Sequence, residues 1–192
     1  MAKKQDFRPD KPKSSILSHL ILTRTQQRTL LKWVFYTLLL ILISVIQDVL
    51  LSKVRVWGAT TELIPCAIFL ICILEGTQTG SVFTLIASLL YLFSGTAPGP
   101  YSMVAITFYG VGVCIFRQAY LQESFSSALL CTAIAMLLYV MTNFLFGLFL
   151  GLTPLARIYG FFVTFVLTML SVPVFYPILK AIGAFGGYQW KE

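Results

Sequence analysis

The stretch that decides the fold runs from Trp33 to Leu51 and reads WVFYTLLLILISVIQDVLL. Its 19 residues contain one charged side chain, Asp48, close to the end. A helix needs about 20 consecutive apolar residues to cross the hydrocarbon core of a bilayer. Lys53 and Arg55 follow this stretch, where a removed signal peptide would have a small-residue cleavage site. The pattern therefore predicts a membrane-spanning anchor that stays in the chain.

The composition of the whole chain agrees with a membrane protein. Of its 192 residues, 58% are hydrophobic and 11% are charged, whereas about a quarter of a soluble domain is charged. A chain of this length has too little interior to hide so much apolar surface from water. The composition predicts an all-α integral membrane protein and excludes disordered and disulfide-rich secreted classes. The four cysteines form no CxxC pair and are expected to act as small apolar residues in helices.

Further apolar runs predict a six-transmembrane-helix bundle within residues 33–182. The predicted helices cover residues 33–51, 62–75, 76–93, 101–116, 126–150 and 155–182. Residues 63–93 also permit a single span, because each half is short for a bilayer crossing. Six spans place 11 of the 14 Lys and Arg residues inside and five spans place 9 there. The positive-inside rule therefore favours six spans with both termini cytoplasmic. Pro173 and Pro177 predict a kink or an end late in the last helix.

The basic residues are concentrated near the N-terminus, where residues 1–32 hold eight of the 14. This segment is predicted to be a cytoplasmic tail, with either an interfacial helix around Ile16–Ile21 or an ordinary solvated conformation. Arg24, Arg28 and Lys32 lie four residues apart, as expected for a helix face that contacts anionic lipids. No nucleic-acid-binding motif accompanies these charges, so membrane lipids are expected as partners and nucleic acids are not. The last ten residues, 183–192, are predicted to form a second cytoplasmic tail.

Small residues recur along the predicted third helix at Gly76, Gly80, Thr84 and Ser88. Small side chains let helix backbones approach closely in lipid, where the hydrophobic effect gives helices little reason to associate. Two interpretations remain open: the stripe packs within one bundle, or it forms a surface that seats another membrane protein. Asn143 is the most polar residue deep in a predicted helix, and an interhelical hydrogen bond is its expected role.

The sequence carries no pattern typical of an enzyme or an ion pump. The single histidine lies in the basic head, and the HExxH, P-loop and GxSxG motifs are missing. The seven acidic residues are scattered, and none stands at the centre of a predicted span, where proton pumps and ion-coupled transporters usually keep one. The expectation is a protein that is not an enzyme and has no cofactor and no metal site.

A set of short motifs stands between the first helix and the loop that precedes the fourth. The segment from Glu62 to Pro65 reads ELIP, and residues 94–99 read SGTAPG. Together with the small-residue stripe they resemble the MreD family of bacterial rod-shape-determining inner-membrane proteins. The positions that carry the resemblance are Gln47, Glu62, Pro65, Gly95, Pro98 and Gly99. The family often has an Asp just before the loop, where this chain has residues 91–93 as YLF, so a role for that acid is not expected here.

The resemblance implies a function in assembly. A family member is a non-enzymatic component of the elongation complex, beside an MreC-like scaffold, an MreB-like filament and the peptidoglycan glycosyltransferase and transpeptidase. The family is also similar in fold to the substrate-binding S components of energy-coupling-factor vitamin transporters, which is the alternative function. An S component needs a solute pocket on the outer side. The outer residues that offer polar or aromatic groups for such a pocket are Lys53, Arg55, Trp57, Glu62, Tyr101 and Arg157.

Overall fold

A computed structural model describes residues 24–51, 53, 59–120 and 124–185. Seven α-helices account for most of this part of the chain. They are α1 (Arg24–Ile46), α2 (Leu63–Glu75), α3 (Thr77–Phe93), α4 (Pro100–Tyr120), α5 (Phe125–Phe149), α6 (Ile158–Met169) and α7 (Val172–Phe185). A π-helical segment, Gln47–Leu51, extends α1, and a short 3-10 turn, Leu155–Arg157, precedes α6. The described residues contain no β-strand, so the predicted all-α class is confirmed for them.

Three helical segments are long and apolar enough to cross a membrane: Gln27–Val49, Pro100–Gln118 and Phe125–Phe149. The pair α6 and α7 qualifies as a fourth segment with a bend of 45°. Helices α2 and α3 are apolar but have 13 and 17 residues. At a rise of 1.5 Å per residue they are about 20 and 25 Å long, against about 30 Å of hydrocarbon. Length and composition thus identify three or four segments in the described part of the chain that could span a membrane.

Helix α2 is the centre of the bundle. Every residue from Leu63 to Leu74 is buried, and each of the other six helices contacts α2. Its sequence, LIPCAIFLICILE, is apolar on all sides, which is the pattern of a helix enclosed by other helices. Pro65 lies in its first turn, where a backbone N–H has no acceptor within the helix. The short helix is therefore shielded from lipid by its neighbours.

A single residue, Gly76, separates α2 from α3. Its φ angle is +86°, in the left-handed region that residues with a side chain rarely adopt. The chain reverses there, and the Sγ atom of Cys72 comes to lie 2.6 Å from the Oγ1 atom of Thr84. Residues 63–93 therefore form two helices folded into a hairpin, as one of the two interpretations of the sequence expects.

The last predicted helix, residues 155–182, is divided into two. Helix α6 ends at Met169 and α7 begins at Val172, because Pro173 has no N–H to donate to the carbonyl of the preceding turn. The hydroxyl of Ser171 donates to the Thr168 carbonyl at 2.6 Å and satisfies one acceptor at the break. Pro177 lies inside α7 without ending it. The predicted interruption thus occurs at the first proline only.

The bundle has two ends, which are named here after the ends of α2. The Glu62 end holds the last turns of α3 and α5, the loop 94–99 and the start of α6. The Glu75 end holds the starts of α1, α3 and α5. Helix α1 begins at Arg24, nine residues before the predicted span, and α7 continues to Phe185. The expected interfacial helix and most of the second tail lie outside the described residues.

Candidate functional site

Two side chains cap the start of the central helix. The Oε1 atom of Gln47 accepts hydrogen bonds from the backbone N–H groups of Leu63 at 2.8 Å and Ile64 at 3.2 Å. The hydroxyl oxygen of Thr168 accepts one from the N–H of Glu62 at 3.1 Å. The first four N–H groups of a helix have no intrahelical acceptor, and burial makes an unpaired one costly. Gln47, one of the family-like positions, therefore anchors the start of α2.

The other end of α2 is held by an ion pair. Lys32 Nζ lies 2.5 Å from the Oε2 atom of Glu75, and the Tyr36 hydroxyl donates to Oε1 at 2.8 Å. The side chains of Lys32 and Glu75 are 11% and 6% exposed. The ammonium also stands 5.3 Å from the Trp33 ring centroid, close enough for a cation–π contact.

The basic residues predicted to contact anionic lipid are not equivalent. Lys32 forms its ion pair with Glu75 inside the bundle, and its contact with anionic lipid stays a prediction. Arg28 is exposed one turn earlier on α1 and stays available for a lipid headgroup. The backbone of Arg24 begins α1, and its side chain lies outside the described part of the structure.

The small-residue stripe of α3 faces other helices of the same chain. Gly80, Thr84 and Ser88 are buried, and a Cβ atom on Gly80 would lie 3.0 Å from the Cys114 Sγ atom of α4. The Ser88 hydroxyl lies 2.9 Å from that of Thr107 on α4, within hydrogen-bond distance. A partner protein would have to displace α4 to reach these three residues. The interpretation of packing within the bundle is therefore the one that their positions support.

The loop between α3 and α4 is a tight turn. Gly95 has a φ angle of +77°, which favours glycine, and Pro100 begins α4, where its missing N–H is harmless. The carbonyl of Gly99 accepts from both the N–H and the hydroxyl of Ser102, at 3.0 and 2.6 Å. A Cβ atom at Gly99 would lie 2.5 Å from the Tyr101 ring. The family-like residues of this loop thus have a conformational role.

A cavity of about 640 Å³ opens at the Glu62 end of the bundle. The side chains that are both polar and part of its lining are Thr60, Glu62, Tyr101, Asn143, Thr153, Arg157, Tyr159 and Thr164. Ala59, Asn143 and Thr164 are buried and form the floor, whereas Arg157 and Tyr159 are exposed and form the rim.

The wall of the cavity is shaped by the way α5 ends. Gly151, with a φ angle of +68°, turns the chain back, so that the N–H groups of Leu152 and Thr153 donate to the Gly147 carbonyl at 2.8 and 3.2 Å. A Cβ atom on Gly147 would lie 2.7 Å from the Thr153 hydroxyl. This glycine therefore makes room for Thr153 in the cavity wall.

Several buried polar atoms of the cavity have no hydrogen-bond partner among the described residues. They are Glu62 Oε2, Asn143 Oδ1, Asn143 Nδ2 and Thr153 Oγ1. Asn143 is 3% exposed, and the interhelical hydrogen bond expected from the sequence is not formed within the described part of the chain. Most buried polar groups in proteins are hydrogen-bonded, and an unpaired one costs about 1–3 kcal/mol.

The carboxyl group of Glu62 lies deep in the cavity. Its backbone N–H binds Thr168, ten residues beyond the start of α6, which corresponds to about 15 Å along that helix. Glu62 precedes α2, and its burial raises the pKa of its carboxyl group to about 7, while the nearby Tyr139 hydroxyl opposes the shift.

The structure brings together three of the six residues that the sequence offers for an outer pocket. Glu62, Tyr101 and Arg157 line the one cavity. Lys53 is exposed and outside its lining, and Arg55 and Trp57 lie outside the described residues. Asn143 and Thr153 also line the cavity, which the sequence does not predict. For Asn143 the sequence does carry a signal, because it is a lone asparagine in a 25-residue apolar helix.

A second concave surface lies between α4 and α5 and is almost wholly apolar. It has a volume of about 620 Å³, and its lining includes Phe108, Gly112, Ile115, Ile134 and Leu138. Phe108 and Ile115 are 72% and 57% exposed. A Cβ atom on Gly112 would meet no atom within 4 Å, so this glycine borders open space. We refer to this surface as the α4–α5 groove.

The described part of the chain contains no group of three or more His, Cys, Asp or Glu residues placed to hold a metal ion. Cys66, Cys72, Cys114 and Cys131 are buried and form no disulfide.

The functional assignment of this chain rests on the geometry described above. No protein-family model, no curated protein and no solved structure matches the chain.

Proposed function

We propose that all six apolar segments lie in a bacterial plasma membrane, with the Glu75 end and both termini on the cytoplasmic side. Arg28, Arg117 and Lys180 belong to segments at that end, which supports the orientation by the positive-inside rule. The shortness of α2 does not argue against six segments. Matching of helix length to bilayer thickness is a requirement for lipid-exposed helices, and α2 is enclosed by protein.

We propose that the protein is a non-enzymatic component of the bacterial rod-shape complex. In this role it helps to assemble or regulate peptidoglycan synthesis with an MreC-like scaffold, an MreB-like filament and the elongation glycosyltransferase and transpeptidase. The motif resemblance suggests these partners. The observation that carries the proposal is the α4–α5 groove, because it is an open and almost wholly apolar concave surface between two helices.

The groove suits the single membrane-spanning helix of an MreC-like scaffold. In lipid, helices associate where their backbones approach closely and side chains interlock. Gly112 leaves open space at the groove, and Phe108 and Ile115 project from the same helix at its border. An apolar helix of the partner gains packing contacts here without burying a charge.

Filling the groove tests the proposal. In Gly112→Leu the new Cβ atom meets no atom within 4 Å and the side chain is added at the groove, so we expect the fold to be kept. We expect recovery of a co-expressed MreC-like partner to fall roughly tenfold, equivalent to about 1.4 kcal/mol of binding. Val104→Leu is the matched control, because Val104 is exposed on α4 and does not line the groove. Equal partner recovery with the two variants would overturn the docking site.

The cavity at the Glu62 end favours a second candidate function, that of a substrate-binding S component. In the proposed orientation it opens to the outer side and contains Glu62, Tyr101 and Arg157. This function predicts co-purification with a coupling membrane subunit and paired ATPases, and stabilisation by one vitamin through mass action. Recovery of an MreC-like partner in place of the transporter subunits would argue for the assembly role.

A further inference from the structure

We infer that the cavity at the Glu62 end binds a small zwitterion, with its ammonium group beside Glu62 and Asn143 and its anionic group beside Arg157. This inference goes beyond the proposed assembly role and does not depend on it, since the α4–α5 groove is a separate surface.

The first argument is the unsatisfied floor of the cavity. Asn143 is nearly fully buried, and neither atom of its amide has a partner among the described residues. Glu62 and Thr153 each contribute a further buried oxygen without a partner there. Such groups weaken the fold unless a bound molecule or water completes their hydrogen bonds. An ammonium group donates to the three oxygen atoms, whereas the Nδ2 donor of Asn143 needs an acceptor oxygen of the ligand or of a water molecule.

The second argument is the separation of charge. Glu62 and Arg157 line the same cavity but form no ion pair with each other. Glu62 is bound to α6 at Thr168, and Arg157 directly precedes that helix. The carboxylate therefore lies deep and the guanidinium lies at the rim. A ligand with a cation at its inner end and an anion at its outer end complements both charges.

Size limits the ligand but allows two sources. A cavity of about 640 Å³ accepts a molecule of the size of an amino acid or a dipeptide. The ammonium and phosphate of phosphatidylethanolamine form a zwitterion of the same kind. The shared chemistry is an ammonium group and a carboxylate or phosphate a few bonds away. Tyr101, whose ring stacks on Phe146 with centroids 5.3 Å apart, supplies a fixed aromatic wall for the part between the charges.

The role of Asn143 is tested without any ligand. In Asn143→Leu the purified full chain loses two unpaired polar atoms, so its melting temperature in detergent should rise. The matched control is Thr142→Val on the same helix, because the Thr142 hydroxyl lies 2.5 Å from that of Tyr109. This control should melt at a lower temperature. A lower melting temperature for Asn143→Leu as well would show that the amide supports the fold, which would overturn the first argument.

Ligand binding is tested by the shift in melting temperature with three zwitterions: O-phosphoethanolamine, the dipeptide Ala-Ala and a short-chain phosphatidylethanolamine. Ethanolamine and inorganic phosphate serve as single-charge controls. At least one zwitterion should stabilise the protein more than either control. Stabilisation by a free zwitterion identifies a solute site, and stabilisation by the lipid alone identifies a headgroup site. No stabilisation by any of the three would overturn the inference.

Two variants and one control variant locate the binding site. Arg157→Ala changes an exposed rim residue, so the protein should fold normally and bind the effective zwitterion about tenfold more weakly. Lys53→Ala removes an exposed charge outside the cavity lining and should bind as the wild type does. Asn143→Leu should also lose binding. Undiminished affinity in Arg157→Ala and Asn143→Leu would place the ligand elsewhere and overturn the inference.

Discussion

Lys32 and Glu75 form an ion pair, with Nζ 2.5 Å from Oε2, that joins the first helix to the last residue of the central one. At the opposite end of α2, Gln47 of the same chain segment accepts two backbone hydrogen bonds. The first helix therefore holds α2 at both ends. This arrangement explains how a helix of 13 residues keeps a fixed position in the centre of the bundle.

Removal of one partner of the ion pair should destabilise the protein strongly. In Glu75→Gln the Lys32 ammonium is left buried without its counter-charge, so the free energy of unfolding should fall by about 3 kcal/mol. The double variant Lys32→Met with Glu75→Gln should recover most of this loss, because no unpaired charge remains. Denaturant titration in detergent measures both effects. A single variant as stable as the wild type would show that the pair does not fix α2.

Loss of the Gln47 cap should also destabilise α2. Gln47→Met keeps the length of the side chain but leaves the N–H groups of Leu63 and Ile64 without their acceptor. We expect the free energy of unfolding to fall by about 2 kcal/mol. The matched control is Gln118→Met, which removes an exposed hydrogen bond from Thr77 and should change stability by less than about 0.5 kcal/mol. Equal effects of the two substitutions would contradict the capping role.

Alanine substitutions at two glycines of α4 should have different effects on the free energy of unfolding. A Cβ atom at Gly110 would lie 2.5 Å from the Thr84 Cγ2 atom, so Gly110→Ala forces α3 and α4 apart and should lower the free energy of unfolding by about 1–3 kcal/mol. Gly112 borders open space, and Gly112→Ala should be neutral or slightly stabilising. The two variants are compared by thermal unfolding. A neutral Gly110→Ala would indicate that the helices are not in close contact.

Stability should depend on pH through Glu62. Because burial raises its pKa to about 7 in the folded chain, the folded state holds its proton more tightly than the unfolded state, where the pKa is about 4.5. The free energy of unfolding should therefore fall as pH rises from 4.5 to about 7. Glu62→Gln should remove this component. A difference between the two proteins that is constant over this range would contradict the assignment.

The neighbours of Glu62 define what else contributes to this pH profile. Tyr139 of α5, Tyr91 of α3 and Tyr101 of α4 interact with its carboxyl group electrostatically. Asp48, after α1, acts on Tyr91 in turn. Tyrosines titrate well above this range. The difference between the wild-type and Glu62→Gln profiles between pH 4.5 and 7 therefore reports Glu62.

The sequence by itself determined the class of the protein and the approximate positions of its helices. Apolar content and the placement of Gly76 and Pro173 are local properties, so they predict where a helix crosses lipid and where it breaks. The apolar α2, recognised as a short helix, could not be recognised as the centre of the bundle. An equally apolar sequence could belong to a helix that faces lipid on one side.

Only the tertiary structure decided which polar residues meet. Lys32 belongs by sequence to a basic helix face, yet folding places it on Glu75, 43 residues away. The stripe at Gly80 could serve a partner or α4, and in the folded chain Gly80 lies close to Cys114 of α4. The cavity joins Glu62 to Asn143 and Arg157, which are 81 and 95 residues distant in the chain. Such contacts depend on long-range packing, which local hydrophobic periodicity does not encode.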